Sequence, residues 1–124
     1  MLVAKHISKK FGAYQALDNV SFEINKGDIV GFLGKNGAGK TTLMRILTTF
    51  ITASSGSVLI DGEDITKHSL TVREKIGYLP EKPPLYGDMT VKNYLKFAAQ
   101  IKGVSAKKES FQVEKTLDDC GLTR

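Results

Sequence analysis

From Ala16 to Ile24 the chain runs ALDNVSFEI, with Val20, Phe22 and Ile24 on alternate positions. A period of two puts those side chains on one face of a strand, so the stretch predicts a half-buried strand. Residues 2–11 mix apolar and polar positions and predict a strand before it. Asn25-Lys26-Gly27-Asp28 predicts a turn. The apolar run IVGFL follows, and its lack of alternation predicts a strand buried on both faces. From Lys40 the period changes: Leu43, Ile46, Leu47 and Phe50 fall on one helical face, and TASSG ends the helix. SVLI is a short strand closed by Asp61-Gly62, SLTVRE a helical turn, and KIGYL a further strand.

All three prolines lie in PEKPPLYGD, which predicts an irregular loop. Thr90 is placed to cap the next helix, in which Val91, Tyr94, Leu95, Ala98 and Ile101 line one face and Gly103 marks the end. Residues 105–120 predict another helix, closed by Gly121. Strands alternating with helices predict an α/β layer architecture. The opening strands have no helix between them, which predicts an antiparallel addition to a parallel core.

At 124 residues the chain is long enough for one modest core. A composition of 41% hydrophobic and 25% charged residues argues against disorder. Cys120 is the single cysteine, so no internal disulfide forms, and a free, partly buried thiol is its simplest role. The net charge of +5 attracts polyanions, but the lysines are interspersed with acids, so charge alone does not argue for nucleic acid. No apolar run approaches the ~18 residues needed to cross a bilayer. The N-terminus lacks a signal peptide's apolar core, which predicts a cytosolic or membrane-peripheral chain.

The chemistry concentrates at GKNGAGKT, residues 34–41, between the IVGFL strand and the helix. Gly34, Gly39, Lys40 and Thr41 occupy the fixed positions of G-x-x-x-x-G-K-[ST]. Glycine lets successive N–H groups turn toward one anion, and the helix start adds unsatisfied N–H groups and the positive end of its dipole. Lys40 is placed to reach the β- and γ-phosphates and the Thr41 hydroxyl to ligate Mg²⁺. The pattern arises by chance in roughly one chain in a few hundred of this length, and the flanking strand and helix lower that further. A dinucleotide-binding loop is excluded because no G-x-G-x-x-G occurs. The loop alone specifies a nucleoside triphosphate and leaves kinase, GTPase, motor and transport ATPase open.

The flanks resemble the ATP-binding cassette (ABC) ATPases over essentially the whole chain. KKFGAYQALDNVSFEINKGDIVGFLG is similar to the family's opening strands, GKNGAGKTTLMRIL to its Walker A, SGSVLIDGEDI to its next strands and turn, and KIGYLPEKPPLYGDMTVKNYLKF to its Q-loop and the segment beyond. The resemblance implies an α/β P-loop NTPase (RecA-like) core with an antiparallel β addition. Residues 1–124 would form the N-terminal portion of one nucleotide-binding domain, with about 90–124 leading into a helical subdomain. It implies that Phe11 stacks on adenine, with Tyr14 as the nearby alternative. Gly34, Lys35, Asn36, Gly37, Ala38, Gly39, Lys40, Thr41 and Thr42 would hold the phosphates. A Cβ at Gly37 or Gly39 would crowd them. Where the family usually has a Q-loop glutamine this chain has Glu81, still able to contact Mg²⁺ or the lytic water while adding negative charge beside the phosphates. Thr41 and Glu81 are therefore the expected metal contacts, and ATP and Mg²⁺ the expected cofactors.

Three tempting features have plainer explanations. Asp61, in VLID, follows Walker A too closely for the metal aspartate. DDCG, residues 118–121, matches a GTPase pattern but lies on a helical stretch, and His6 and His68 have no partner at ligand spacing. The chain ends before an LSGGQ-like signature and an apolar strand ending in Asp-Glu. The 124 residues are thus expected to lack a general base and hydrolyse negligibly alone. The resemblance implies an ATP-hydrolysing subunit that powers transmembrane transport, export above import, from the cytoplasmic face of the membrane. Its expected partners are a second nucleotide-binding domain, head to tail, and a membrane permease meeting the segment near Pro83–Asn93, with no nucleic acid. An ABC ATPase acting on DNA or ribosomes is the alternative.

Overall fold

The computed structural model describes residues 1–123; Arg124 lies outside the described residues. The chain forms two compact units, residues 1–78 and residue 79 onward.

The first unit is built on two long strands, β1 (Leu2–Phe11) and β2 (Tyr14–Ile24). They pair antiparallel from Leu2↔Ile24 to Phe11↔Tyr14, with irregularities between Ala4 and Lys10. The alternation of β2 takes the predicted form, with Val20, Phe22 and Ile24 partly covered and their neighbours exposed. Strand β3 (Ser55–Ile60) pairs with the other edge of β1, and the two-residue β4 (Glu63–Asp64) closes a sheet of order β2-β1-β3-β4. Asp61 and Gly62, at φ 49° and 81°, make the tight turn between β3 and β4. Both central residues having positive φ is the geometry that matches strand twist in two-residue hairpins.

Helix α1 (Lys40–Leu47) lays Leu43, Ile46 and Leu47 against this sheet. They join Ala4, Ile7, Leu17, Val58, Ile65 and Val72, from β1, β2, β3 and the short helix α2 (Ser69–Glu74) with its approach, in one core cluster. The helix is shorter than its pattern predicts. Thr49 adopts φ 62°, which ends the helical path, so Phe50 turns to solvent instead of extending the buried face.

The largest departure is at IVGFL. Residues 28–35 form no strand, and only the inward side is covered: Phe32 packs on the core cluster and edge-on against Phe22, ring centroids 5.3 Å apart. Ile29 and Leu33 face out, almost wholly exposed. A strand buried on both faces needs hydrogen-bonded neighbours and a second covering layer, and the described residues supply only the layer beneath. KIGYL, residues 75–79, likewise forms no strand, although Ile76 packs on the core. Every strand of the sheet pairs antiparallel, and no parallel pair occurs among the described residues.

In the second unit, residues 79–90 are irregular, as the prolines require, and α3 (Val91–Ile101) and α4 (Ala106–Asp119) follow. Thr90 caps α3, its Oγ1 accepting the Asn93 amide at 3.2 Å. Only the middle of α3's expected apolar face is covered: Tyr94, Leu95 and Ala98 are half-buried, while Val91 and Ile101 are exposed. Val113 and Leu117 of α4 are buried, whereas Cys120, just past the end of the helix, is exposed and not partly buried as expected. No helix is long and apolar enough to cross a membrane among the described residues.

Candidate functional site

The extended segment before Gly34 delivers the chain to the N-terminus of α1, and residues 34–39 wrap around that end. The first intrahelical bond is from the Leu43 amide to the Gly39 carbonyl, at 2.8 Å. The amides of Lys40, Thr41 and Thr42 therefore precede the helical ladder, and no side chain caps them. A helix start with uncapped N–H groups is an anion seat, because those donors and the helix dipole point the same way.

Lys40 directs its ammonium into the loop. Its Nζ donates to the Gly34 carbonyl at 2.5 Å and to the Lys35 carbonyl at 2.8 Å. The cation is thus held at the mouth of the turn, over the same helix end. Ala38 donates to the Lys35 carbonyl at 3.2 Å and tightens the turn. Lys35, Asn36, Gly37 and Ala38 are exposed around it, as is Thr41 in the first helical turn, with Thr42 half-buried.

The two glycines differ in what surrounds them. Gly39 has φ 88°, and a Cβ there would lie 2.4 Å from the Ala16 carbonyl oxygen and 2.7 Å from Leu17 Cδ2. The clash is with β2, so Gly39 is required for the loop to close onto the sheet before any ligand is considered. Gly37, at φ 81°, has nothing within 4 Å of such a Cβ, which leaves its surface to a ligand.

The β1–β2 hairpin reaches the same loop. Phe11 and Tyr14 are cross-strand partners at its end. The Tyr14 hydroxyl donates to the Gly37 carbonyl at 3.2 Å, so it is a strut for the phosphate loop, a role the sequence does not announce. Phe11, its partner, keeps a half-exposed ring (49%) at the strand end. Tyr14 thus touches the loop of Gly34 through Thr42, while Phe11, beside Tyr14 at the hairpin end, has its ring against Lys9. Glu81 lies in the second unit, exposed on its irregular loop.

No group of three or more His, Cys, Asp or Glu side chains that could hold a metal forms among the described residues. The Thr41 hydroxyl is exposed in the first turn of α1, beside the uncapped helix start. Asp61 is engaged elsewhere: its carboxylate accepts the Met1 amino group at 2.6 Å, and that contact lowers its pKa. A hollow of about 190 Å³ lined by Ile7, Ile46, Thr49, Val58 and Arg73 includes no residue of the loop; the anion seat is an open surface cradle.

The chain is 34% identical over 122 residues to "Probable multidrug ABC transporter ATP-binding protein YbhF" of Escherichia coli K12, covering 98% of this chain and 21% of that protein. It is 37% identical over 124 residues to "Uncharacterized ABC transporter ATP-binding protein YhcH" of Bacillus subtilis, covering 99% of this chain and 39% of that one. It thus spans about two fifths or less of these relatives' length. Among solved structures it is similar to an "ATP binding subunit of ABC transporter", with TM-score 0.85 and 29% identity over 98% of this chain and 51% of that one. An ATP-binding cassette in a post-hydrolysis dimer with ADP and Pi shares the fold, with TM-score 0.81 at 24% identity over 95% of this chain and 56% of that one. That fold is the α/β P-loop NTPase class. The family model described as "ABC transporter" matches residues 17–124, and the chain belongs to that family.

Proposed function

We propose that the chain supplies the phosphate- and base-binding half of the ATP site in an ABC transporter ATP-binding subunit, which in the complete protein hydrolyses Mg-ATP to drive transport. The observation that carries this is the uncapped N-terminus of α1 with the Lys40 ammonium held in the loop beside it. Gly34 through Thr42 hold the triphosphate, the Phe11 ring lies against adenine, and the Thr41 hydroxyl is the protein oxygen that would hold Mg²⁺. When bound, the metal neutralises charge on the phosphate oxygens. Lys40 exchanges its carbonyl partners for phosphate oxygens while Tyr14 keeps the loop in shape.

Export is favoured over import. The relatives include a multidrug transporter protein by name and, at 37% identity over 120 residues, a retinal-specific phospholipid-transporting ATPase of Bos taurus; the chain covers 5% of the latter. Their names favour transport over action on DNA or ribosomes. The permease and a second, head-to-tail nucleotide-binding domain are the proposed partners, with the subunit on the cytoplasmic membrane face. Leu85 and much of the loop around it are exposed and suited to the permease contact, while Tyr86 packs locally, edge-on against Phe97 at 5.7 Å.

The test is equilibrium binding of ATP in Mg²⁺ buffer to the full-length protein. Lys40→Ala removes charge-assisted hydrogen bonds and is expected to weaken binding at least tenfold with an unchanged urea midpoint. Equal affinity in that variant would overturn the site. The 124 residues alone are expected to show no steady hydrolysis; turnover abolished by Lys40→Ala would overturn that.

A further inference from the structure

Phe11 sits at the end of β1, where a half-exposed ring would ordinarily swing freely. It does not stand alone. Lys9, two residues earlier on β1, places Nζ over the ring, 5.0 Å from the Phe11 centroid. That ammonium is itself fixed, because it donates to the Thr52 carbonyl at 2.7 Å in the segment between α1 and β3. No other ring or cation lies against Phe11 among the described residues.

We propose that Lys9 is a positioning residue for the nucleotide base, seating the Phe11 ring by covering one of its faces and leaving the other as the only platform for a purine. This rests on the reading of Phe11 as the base-stacking ring. Two effects follow from the geometry. The ammonium, anchored at Thr52, limits the ring's rotation, so less freedom is lost when a base arrives. The cation also draws π-density toward itself, leaving the outer face less negative and better matched to an electron-rich purine. Neither effect involves the phosphates, so Lys9 should matter only for ligands that carry a base.

The experiment compares ATP with inorganic triphosphate, both in Mg²⁺ buffer, on the full-length protein. Lys9→Met is expected to weaken ATP binding about two- to fivefold, the range of an exposed cation–π contact, and to leave triphosphate binding unchanged. Lys9→Arg keeps a cation over the ring and is expected to retain ATP affinity. In a Phe11→Ala background, Lys9→Met is expected to have no further effect. If Lys9→Met weakens ATP and triphosphate equally, Lys9 acts through the loop or through net charge, and the proposal is overturned. Tighter ATP binding in Lys9→Met would show that the ammonium occupies the face the base needs, which also overturns it. If Phe11→Ala weakens ATP while Lys9→Met does not, the base site stands and only the role of Lys9 falls. If Phe11→Ala itself leaves ATP affinity unchanged relative to triphosphate, the stacking reading fails and the inference with it. Should Lys9→Met fail to fold, Lys9→Gln against Lys9→Arg makes the same comparison.

Discussion

Gly39 and Gly37 look equivalent in GKNGAGKT, yet they fail differently when given a side chain. At Gly39 an added Cβ meets the Ala16 carbonyl in a left-handed backbone, so Gly39→Ala combines a steric clash with strain. It is expected to destabilise by roughly 2–4 kcal/mol, visible in the urea midpoint without nucleotide. Gly37→Ala has open space and costs only the left-handed penalty, about 1–2 kcal/mol. Equal midpoints for the two would contradict this assignment. The spacing locates both glycines, but which one lies against protein and which against open space depends on where β2 passes. Asp64 carries a prediction of a different kind. Its Oδ1 accepts both the amide (2.8 Å) and the hydroxyl (2.6 Å) of Thr66, and those bonds lower its pKa below the ordinary 3.8. The unfolded chain therefore takes up that proton more readily than the folded one. The stabilisation is present above pH 4 and disappears as pH falls through the depressed value, below 3.8. Asp64→Asn is expected to flatten the acid limb of a urea-midpoint profile below about pH 4.

Elements whose signals are local come out as the pattern predicts. Alternation gives β2, Asp61-Gly62 gives the β3–β4 turn, and Thr90 and Gly103 bracket α3. The Thr90 cap is worth about 1 kcal/mol, so Thr90→Ala should speed amide exchange in the first turn of α3 about fivefold. An unchanged rate there would mean that packing alone sets the start of the helix. The end of α1 is not local in this way. Phe50 continues the 3.6-residue period, but Thr49 leaves the helix in a left-handed turn, with its Oγ1 accepting Arg73 Nε at 2.6 Å from α2. That contact joins residues 24 positions apart and leaves no trace in the periodicity.

On the scale of the whole molecule, IVGFL and KIGYL show where pattern and structure part. Their apolar runs specify burial but not what does the burying, and only Phe32 and Ile76 find cover in the core. The phosphate loop survives this because its shape is set by β2 and α1, through Ala16, Tyr14 and the ladder from Gly39, and not by strand pairing before it. Hence the loop ahead of α1 was legible from a single motif, while the predicted parallel core was not, since neither IVGFL nor KIGYL forms a strand. Bare Ile29, Leu33 and Leu79 have a measurable cost: the 124 residues expressed alone should bind a hydrophobic dye and self-associate. Ile29→Lys with Leu33→Lys should reduce both; undiminished dye binding would place the sticky surface elsewhere. The same bare segment has a thermodynamic consequence. It runs directly into Gly34, so any partner strand that settles on Ile29 and Leu33 also restrains the backbone from which the phosphate loop springs. Cover and nucleotide are then two ligands of one short stretch of chain. By reciprocity, whatever factor the cover adds to nucleotide affinity, bound nucleotide returns to the cover.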